Sequence, residues 1–284
     1  MPELPEVEVL GRHLGSLLIN KAVRSVQVHR QKSIRPTSAR RMRDQLVGAK
    51  FKSIKRRAKY LIFEMQPAGG KPVFILLGHL GMTGRMYLQP KTVDLPKHAA
   101  VVLELVRHNF IFEDTRYFGR MTLGAGALDT LGPELLSEEF GGDVLREALS
   151  KSAQAIKVKL LDQSVVAGIG NIYASEALFH AGISPRKAAR RLTRAECAAL
   201  VVAIRGTLTK AIECGSTVPL DFSGAGERNG LFYFGQTDEW AGYYDEELLV
   251  YDRENESCAR CGNPIRRIVQ VARSTYYCPG CQRA

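Results

Sequence analysis

The chain opens Met1-Pro2-Glu3-Leu4-Pro5-Glu6, and Pro2 beside Glu3 is its most chemically loaded pair. Removal of Met1 exposes the secondary amine of Pro2 next to a carboxylate. A terminal α-amine has a pKa of roughly 7.7–8 against about 10.4 for lysine, so near neutrality it holds roughly a few hundred times more neutral amine. Neutral amine is the nucleophilic form, and it attacks carbonyl-like carbons to give Schiff bases. Two readings fit these six residues alone: a nucleophile carried at the chain start, or a proline-rich, disordered terminus.

A second cluster is Cys258, Cys261, Cys278 and Cys281, spaced C-x2-C-x16-C-x2-C. Two such knuckles place four thiolates around one tetrahedral Zn2+, a closed and therefore structural site. No secretion signal precedes them, which makes disulfides the weaker alternative. Cys197 and Cys214 fall in a helical pattern and read as small buried hydrophobes.

Three loops carry further candidates. Arg56-Arg57-Ala58-Lys59-Tyr60 places three cations within four positions at a strand-to-strand junction. Gly78-His79-Leu80-Gly81-Met82-Thr83-Gly84 reads as a tight turn that exposes His79 and Met82. Asp114-Thr115-Arg116-Tyr117-Phe118-Gly119 does the same for Arg116 and Phe118. An exposed apolar side chain can wedge between nucleic-acid bases. Singly, each loop also has an ordinary reading, as a solvated charge run or as core filler.

The elements that must hold these residues follow from periodicity. Val7, Leu10, Leu14, Leu17 and Leu18 share one face of a helix over 4–18, which anchors Pro2 rather than leaving it loose. Strands are expected over 23–29, 51–56, 60–65, 73–77, 99–105 and 110–113, several of them continuously apolar, giving a β-sandwich or barrel across 20–123. A linker at 131–134 precedes helices over 137–149, 153–162, 171–181 and 194–214. Gly168-Ile169-Gly170-Asn171 opens the third of these helices, a helix–two-turns–helix pattern that can aim backbone N–H groups at phosphate. The cysteine knuckles bracket a hairpin over 265–277 with Arg266, Arg267 and Arg273. The expected fold class is α+β and multidomain: a sandwich with its leading helix (1–130), a helical domain (131–220), a connector (221–256) and a zinc ribbon (257–284).

The chain has 284 residues and a net charge of +11, unevenly spread. Residues 1–60 hold 15 Lys or Arg against 4 acids, whereas residues 221–256 hold 10 acids against 2 bases. A basic N-terminal segment suits a polyanionic partner, most simply nucleic acid. No apolar run is long enough for a membrane span, and no basic-then-apolar leader is present, so a cytoplasmic protein, with no membrane partner, is expected.

Taken in order, Pro-Glu-Leu-Pro-Glu-Val-Glu, Arg-Arg-Ala-Lys-Tyr, His-Leu-Gly-Met, Arg116-x-Phe118-Gly119, Gly-Ile-Gly-Asn-Ile-Tyr-Ala-Ser-Glu and the four cysteines resemble the bacterial formamidopyrimidine-DNA glycosylase/endonuclease VIII family across essentially the whole chain. Leu4 favours the formamidopyrimidine branch over the endonuclease VIII branch, which usually begins Pro-Glu-Gly-Pro-Glu. The resemblance implies a monomeric enzyme at the nucleoid, acting on double-stranded DNA that contains oxidised bases or abasic sites. Such an enzyme removes 8-oxoguanine and formamidopyrimidines, then nicks the strand by β,δ-elimination. Pro2 would be the nucleophile, Glu3 the general acid/base, Glu6 its support and Lys59 a contact to the reacting nucleotide's phosphate. Met82, Arg116 and Phe118 would fill the gap left by the flipped nucleotide, with Arg116 facing the orphaned cytosine. His98, Lys157, Asn171 and Arg273 would contact DNA, and the four cysteines would bind one zinc.

The chain departs from that pattern in two places. Thr115 and Tyr117 stand where the wedge loop usually has proline and a second arginine, which puts loop rigidity and one phosphate contact in question. The stretch 221–256 is about ten residues longer than expected for the family, and carries Phe232, Tyr233, Phe234, Trp240, Tyr243 and Tyr244. It reads either as an altered lid over the flipped base or as a surface hairpin facing away from DNA. Two other functions compete: an endonuclease VIII-like enzyme for oxidised pyrimidines, and a non-catalytic zinc-ribbon DNA-binding protein.

Overall fold

The computed structural model describes residues 2–215 and 248–283. Met1 and the aromatic insertion, with the lid role considered for it, lie outside the described residues. The chain divides into two compact units, with the break between Asp129 and Thr130.

The first unit is built on helix α1 (Leu4–Leu18) and two four-stranded antiparallel sheets. One sheet orders β2 (Lys50–Arg57), β3 (Tyr60–Gln66), β4 (Phe74–His79) and β8 (Arg120–Leu123). The other orders β1 (Ser25–Val28), β6 (Ala99–Glu104), β7 (His108–Asp114) and β5 (Gly84–Pro90). A short helix α2 (Ala39–Leu46) packs on β1. In β3 alternate residues Leu61, Phe63 and Met65 point inward, as a half-buried strand requires. They meet Phe51 of β2, Phe110 and Phe112 of β7, and the apolar stripe Val7, Leu10, Leu14 and Leu18 of α1 in one core. Phe51, Phe63 and Phe110 form an edge-to-face triad across the two sheets, with ring centroids 5.7–5.9 Å apart. The sandwich is therefore closed by aromatic contact between layers. The continuously apolar run of β6 also has a cause: Ala99 and Val102 pack with Ile111 and Tyr87 in a second, smaller cluster.

The second unit contains α3 (Gly142–Leu149), α4 (Ile156–Leu160), α5 (Asn171–His180), α6 (Arg194–Glu213) and the hairpin of β9 (Arg266–Gln270) with β10 (Arg273–Tyr277). The helix expected over 137–149 begins only at Gly142. The carbonyls of Ser137 and Phe140 accept the Arg205 guanidinium, both at 2.6 Å, instead of continuing a helix. The helix expected over 153–162 shortens to a five-residue turn, Ile156–Leu160. Helix α5 is buried from Tyr173 through Phe179 and is the hub of the unit. Its Glu176 is wholly buried and accepts the N–H groups of Leu249, Val250 and Tyr251 at 2.9, 3.0 and 2.8 Å. Burial is the larger influence and raises the pKa of this carboxyl, against the three N–H bonds that favour its charge. The ribbon packs on the same helix through Phe179, Val250, Ile265 and Tyr276. Among the described residues no helix is long and apolar enough to cross a membrane.

The aromatic triad sets a measurable expectation. Phe110→Ala should cost about 3–5 kcal/mol of unfolding free energy, read by urea denaturation of the intact chain. A loss below about 1 kcal/mol would show that the two sheets do not depend on it.

Candidate active site

The terminus is not loose. Pro2 is buried and Glu3 is the N-cap of α1. The Glu6 carboxylate accepts the Glu3 N–H at 2.7 Å, while the Glu3 side chain receives the Glu6 N–H, a reciprocal capping box. Glu3 and Glu6 are almost fully buried, at 1% and 2% exposure. The same helix positions the lysine hairpin. One turn along, Glu8 accepts Arg56 at 2.7 Å, and Arg56 also donates to the Ala58 carbonyl at 3.2 Å. Burial raises the Glu8 carboxyl, but Arg56 and Arg12 outweigh it and hold its pKa below the ordinary value. Ala58 and Lys59 are the two turn residues between β2 and β3, and Ala58 takes a left-handed φ of 52°. Lys59 is buried to 9% exposure by this turn. Its charge is felt by His79 at the end of β4, whose ring lies 4.6 Å from that of Tyr60.

His79 is half-buried rather than fully presented to solvent as the glycine-rich turn suggested. Its Nδ1 accepts the Gly81 N–H at 3.1 Å and so shapes the turn from within. Burial first, then the charges of Lys59 and Arg120, lower its pKa to about 4, so the imidazole is neutral at pH 7.

The Met82 turn and the Arg116 loop are locked together. Asp114, wholly buried, accepts Thr83 Oγ1 at 2.6 Å, the Arg116 N–H at 3.1 Å and the Gly119 N–H at 2.7 Å. Gly81 has φ +64°, and a Cβ there would stand 2.5 Å from the Gly119 nitrogen, so only glycine allows this backbone approach. Phe118 is 46% exposed, and the Arg116 guanidinium lies over its ring at 4.9 Å. Met82 is half-buried. Tyr117 sits in the left-handed region at φ 54°, with its hydroxyl 3.2 Å from His98 Nδ1.

The remaining candidates lie in the second unit. Lys157 is buried to 1% exposure, and its Nζ donates to Ser175 Oγ at 2.8 Å and to the Ser274 carbonyl at 3.2 Å. Asn171 Nδ2 donates to the same carbonyl at 2.9 Å, and its buried Oδ1 has no partner among the described residues. Ser274 directly follows Arg273, which is exposed at the start of β10. The four cysteines bring one Sγ each to within 4.8 Å of one another. Thiolates bound at about 2.3 Å to a tetrahedral ion lie about 3.8 Å apart, and the closest pairs here are 3.4 and 3.9 Å. Donor type and spacing therefore fit one structural Zn2+ held by Cys258, Cys261, Cys278 and Cys281. Of the other two cysteines, Cys197 is buried and Cys214 half-buried.

Three positioning carboxylates stand outside the set picked from sequence. Glu8 left a signal, the i,i+4 pairing with Arg12. Asp114 left a weaker one, as an acid opening a turn. Glu176 closes the Gly-Ile-Gly-Asn-Ile-Tyr-Ala-Ser-Glu motif, but nothing local there tells a buried carboxylate from a solvated one.

A helix-anchored N-terminal proline, joined in one chain to a helix–turn unit with a four-cysteine ribbon, defines a class of zinc-ribbon DNA glycosylases. Residues 1–121 match the family model described as formamidopyrimidine-DNA glycosylase N-terminal domain, residues 131–221 its H2TH domain, and residues 255–284 a zinc finger found in FPG and IleRS. The chain belongs to the formamidopyrimidine-DNA glycosylase family. It is 38% identical to the formamidopyrimidine-DNA glycosylase of Desulfitobacterium hafniense, over 99% of this chain and 100% of that one. It is 40% identical to that of Thioalkalivibrio sulfidiphilus over 100% of both. Among solved structures, a Lactococcus lactis FPG mutant in complex with Fapy-dG-containing DNA superposes with a TM-score of 0.87 at 32% identity, covering 100% of both chains. The Lactococcus enzyme on abasic-site DNA gives 0.86 at 32% identity, covering 99% of this chain and 100% of that one.

The buried imidazole has a pH consequence. The unfolded-state value near 6.5 exceeds the folded value near 4, so as pH falls the unfolded chain takes up the proton first. Stability is thus greatest above pH 6.5 and is lost as pH drops toward 4. Wild type should lose thermal stability relative to His79→Gln, which keeps an acceptor for Gly81, between neutrality and about pH 4.5. A gap in Tm that stays constant across that range would refute the buried neutral histidine.

Proposed function

We propose that this chain is a base-excision repair enzyme that removes 8-oxoguanine and formamidopyrimidines from double-stranded DNA and then nicks the strand as a lyase. The observation that carries the reading is the burial of Pro2 against the reciprocal cap of Glu3 and Glu6. That arrangement fixes an N-terminal amine and a carboxylate side by side. Once Met1 is removed, the Pro2 nitrogen attacks C1′ of the damaged nucleotide, the base leaves, and an iminium links enzyme to sugar. The iminium is an electron sink that acidifies the neighbouring sugar C–H. Glu3 moves protons to and from the opened sugar, and β- and then δ-elimination cleave the strand. The capping bond from Glu6 keeps the Glu3 backbone fixed through these steps.

A glycosidic bond inside a duplex is out of reach, so the nucleotide must be extruded at a cost of a few kcal/mol. Phe118, Met82 and Arg116 offset part of that cost by refilling the stack, and their loops are already locked together by Asp114. Lys59 and His98 contact backbone phosphates from the first unit, and Asn171 and Arg273 do so from the second. Lys157 contributes its charge from beneath Asn171, through the carbonyl they share. These contacts set register rather than sequence preference, and they make affinity fall steeply with salt. Cys258, Cys261, Cys278 and Cys281 would hold one Zn2+ that ties down the hairpin carrying Arg273, and four protein ligands would leave no open position for chemistry. The enzyme acts at the nucleoid as a monomer.

Borohydride trapping on a duplex with 8-oxoguanine opposite cytosine is the test. Wild type should give a covalent adduct, and Pro2→Gly should give none while still binding the duplex. Absence of an adduct with wild type would leave a DNA-binding protein without this chemistry. The same Lactococcus enzyme has been solved on DNA containing an oxidised pyrimidine. Excision of thymine glycol should accordingly be run beside 8-oxoguanine, and faster release of thymine glycol would move the chain to the pyrimidine-directed reading.

A further inference from the structure

We propose that Tyr117 is a positioning residue for the wedge: braced between Arg30 and His98, it fixes how Arg116 and Phe118 project and so sets discrimination of the base opposite the lesion. The proposal rests on the glycosylase reading above. Four observations carry it. Tyr117 holds a left-handed backbone at φ 54°, a conformation that a bulky residue keeps only when its surroundings over-determine it. Those surroundings are present: the Arg30 guanidinium lies 4.8 Å from the ring centroid, and the hydroxyl is 3.2 Å from His98 Nδ1. Tyr117 sits between the two wedge residues in sequence, and they are stacked on each other as one unit, Arg116 over Phe118 at 4.9 Å. Lys32, two residues after Arg30, lies 5.8 Å from the opposite partner of that stack, the Phe118 ring. The segment holding Arg30 and Lys32 therefore contacts both rings of the loop.

Asp114 and Gly119 fix the base of the loop, and the Arg120 guanidinium donates to the Tyr117 and Gly119 carbonyls at 3.3 and 2.8 Å, so the loop base holds the Tyr117 backbone while Arg30 and His98 hold its side chain. Thr115 is exposed and leaves the backbone more freedom than a proline would. The brace adds a side-chain constraint from outside the loop. It also ties His98, a proposed phosphate contact, to the wedge, so that gripping the backbone and reading the orphaned base share one rigid element.

Two experiments test this. In the first, trypsin cleavage after Arg116 is followed by mass spectrometry in wild type and in Arg30→Ala, which leaves the loop sequence intact. The brace predicts cleavage about tenfold faster in the variant, as for a loop released to open locally. Equal rates overturn the brace whether or not the chain is a glycosylase. In the second, single-turnover excision of 8-oxoguanine opposite cytosine and opposite adenine is measured for wild type, Tyr117→Phe, Tyr117→Ala and Arg30→Ala, with Tm alongside. Tyr117→Ala and Arg30→Ala should shrink the cytosine-to-adenine rate ratio by about tenfold while Tm stays within about 2 °C. Tyr117→Phe keeps the ring on Arg30 and should fall between them and wild type, and it carries the comparison should Tyr117→Ala not fold. An unchanged ratio, or equal loss on both opposite bases, overturns the specificity role. A wild type that excises neither substrate overturns the glycosylase reading instead, and the trypsin result then still decides the brace.

Discussion

A residue at the end of a chain is bonded on one side only, and the proposed active site is organised around that fact, since removal of Met1 would make Pro2 such a residue. An interior nucleophile inherits its position from both neighbours, whereas a terminal one is free to fray. Here the first helical turn begins at Leu4, so its cap necessarily involves Glu3. The acid proposed to serve the chemistry is thereby also the N-cap that anchors the helix start. The cost of ordering the terminus is met by groups any helix start must satisfy in some way, the orphan N–H donors of its first turn. Everything further out is referenced to this helix: Glu8 holds Arg56, and Arg56 holds the turn that carries Lys59. A functional frame of this kind depends on the helix packing into the sandwich core through Val7, Leu10, Leu14 and Leu18. Core and proposed chemistry are joined in one helix and the two residues that lead into it.

Much of this was legible in the residues. The apolar stripe of α1, the length of α6 and the cysteine knuckles are strong periodic or spacing signals, and each element lies where the sequence points. Helix α2 was not legible, because only Met42 and Leu46 are buried and two apolar residues make no periodic pattern. Strands β5 and β8 were missed for a related reason. Both are sheet edges, and β8 has four residues defined by pairing with β4 rather than by its own composition. The candidate residues were easier to find than the groups that hold them. Lysines, arginines and exposed aromatics announce themselves by type, but Asp114 and Glu176 work through backbone N–H groups that a sequence does not display.

The two loops that carry Met82, Arg116 and Phe118 illustrate how rigidity is distributed. A backbone approach that only Gly81 permits and a carboxylate shared among three donors make one solid body of two turns. Wedging a duplex open demands such a body, since a loop that yields would return the stacking energy it is meant to replace. The exposed part is small, and its support is buried, polar and fully bonded, the condition under which a polar network rigidifies rather than destabilises.

The grip of Glu176 on the chain at Leu249–Tyr251 has an evolutionary consequence. The incoming segment is caught by three hydrogen bonds to its backbone, so capture does not depend on which side chains arrive there. On the other side, α6 ends in its own packing. The ribbon is thereby kept in register on α5. Glu176 thus acts as a splice point: whatever side chains arrive at Leu249–Tyr251, the backbone is caught in the same way and the four-cysteine hairpin beyond need not be renegotiated.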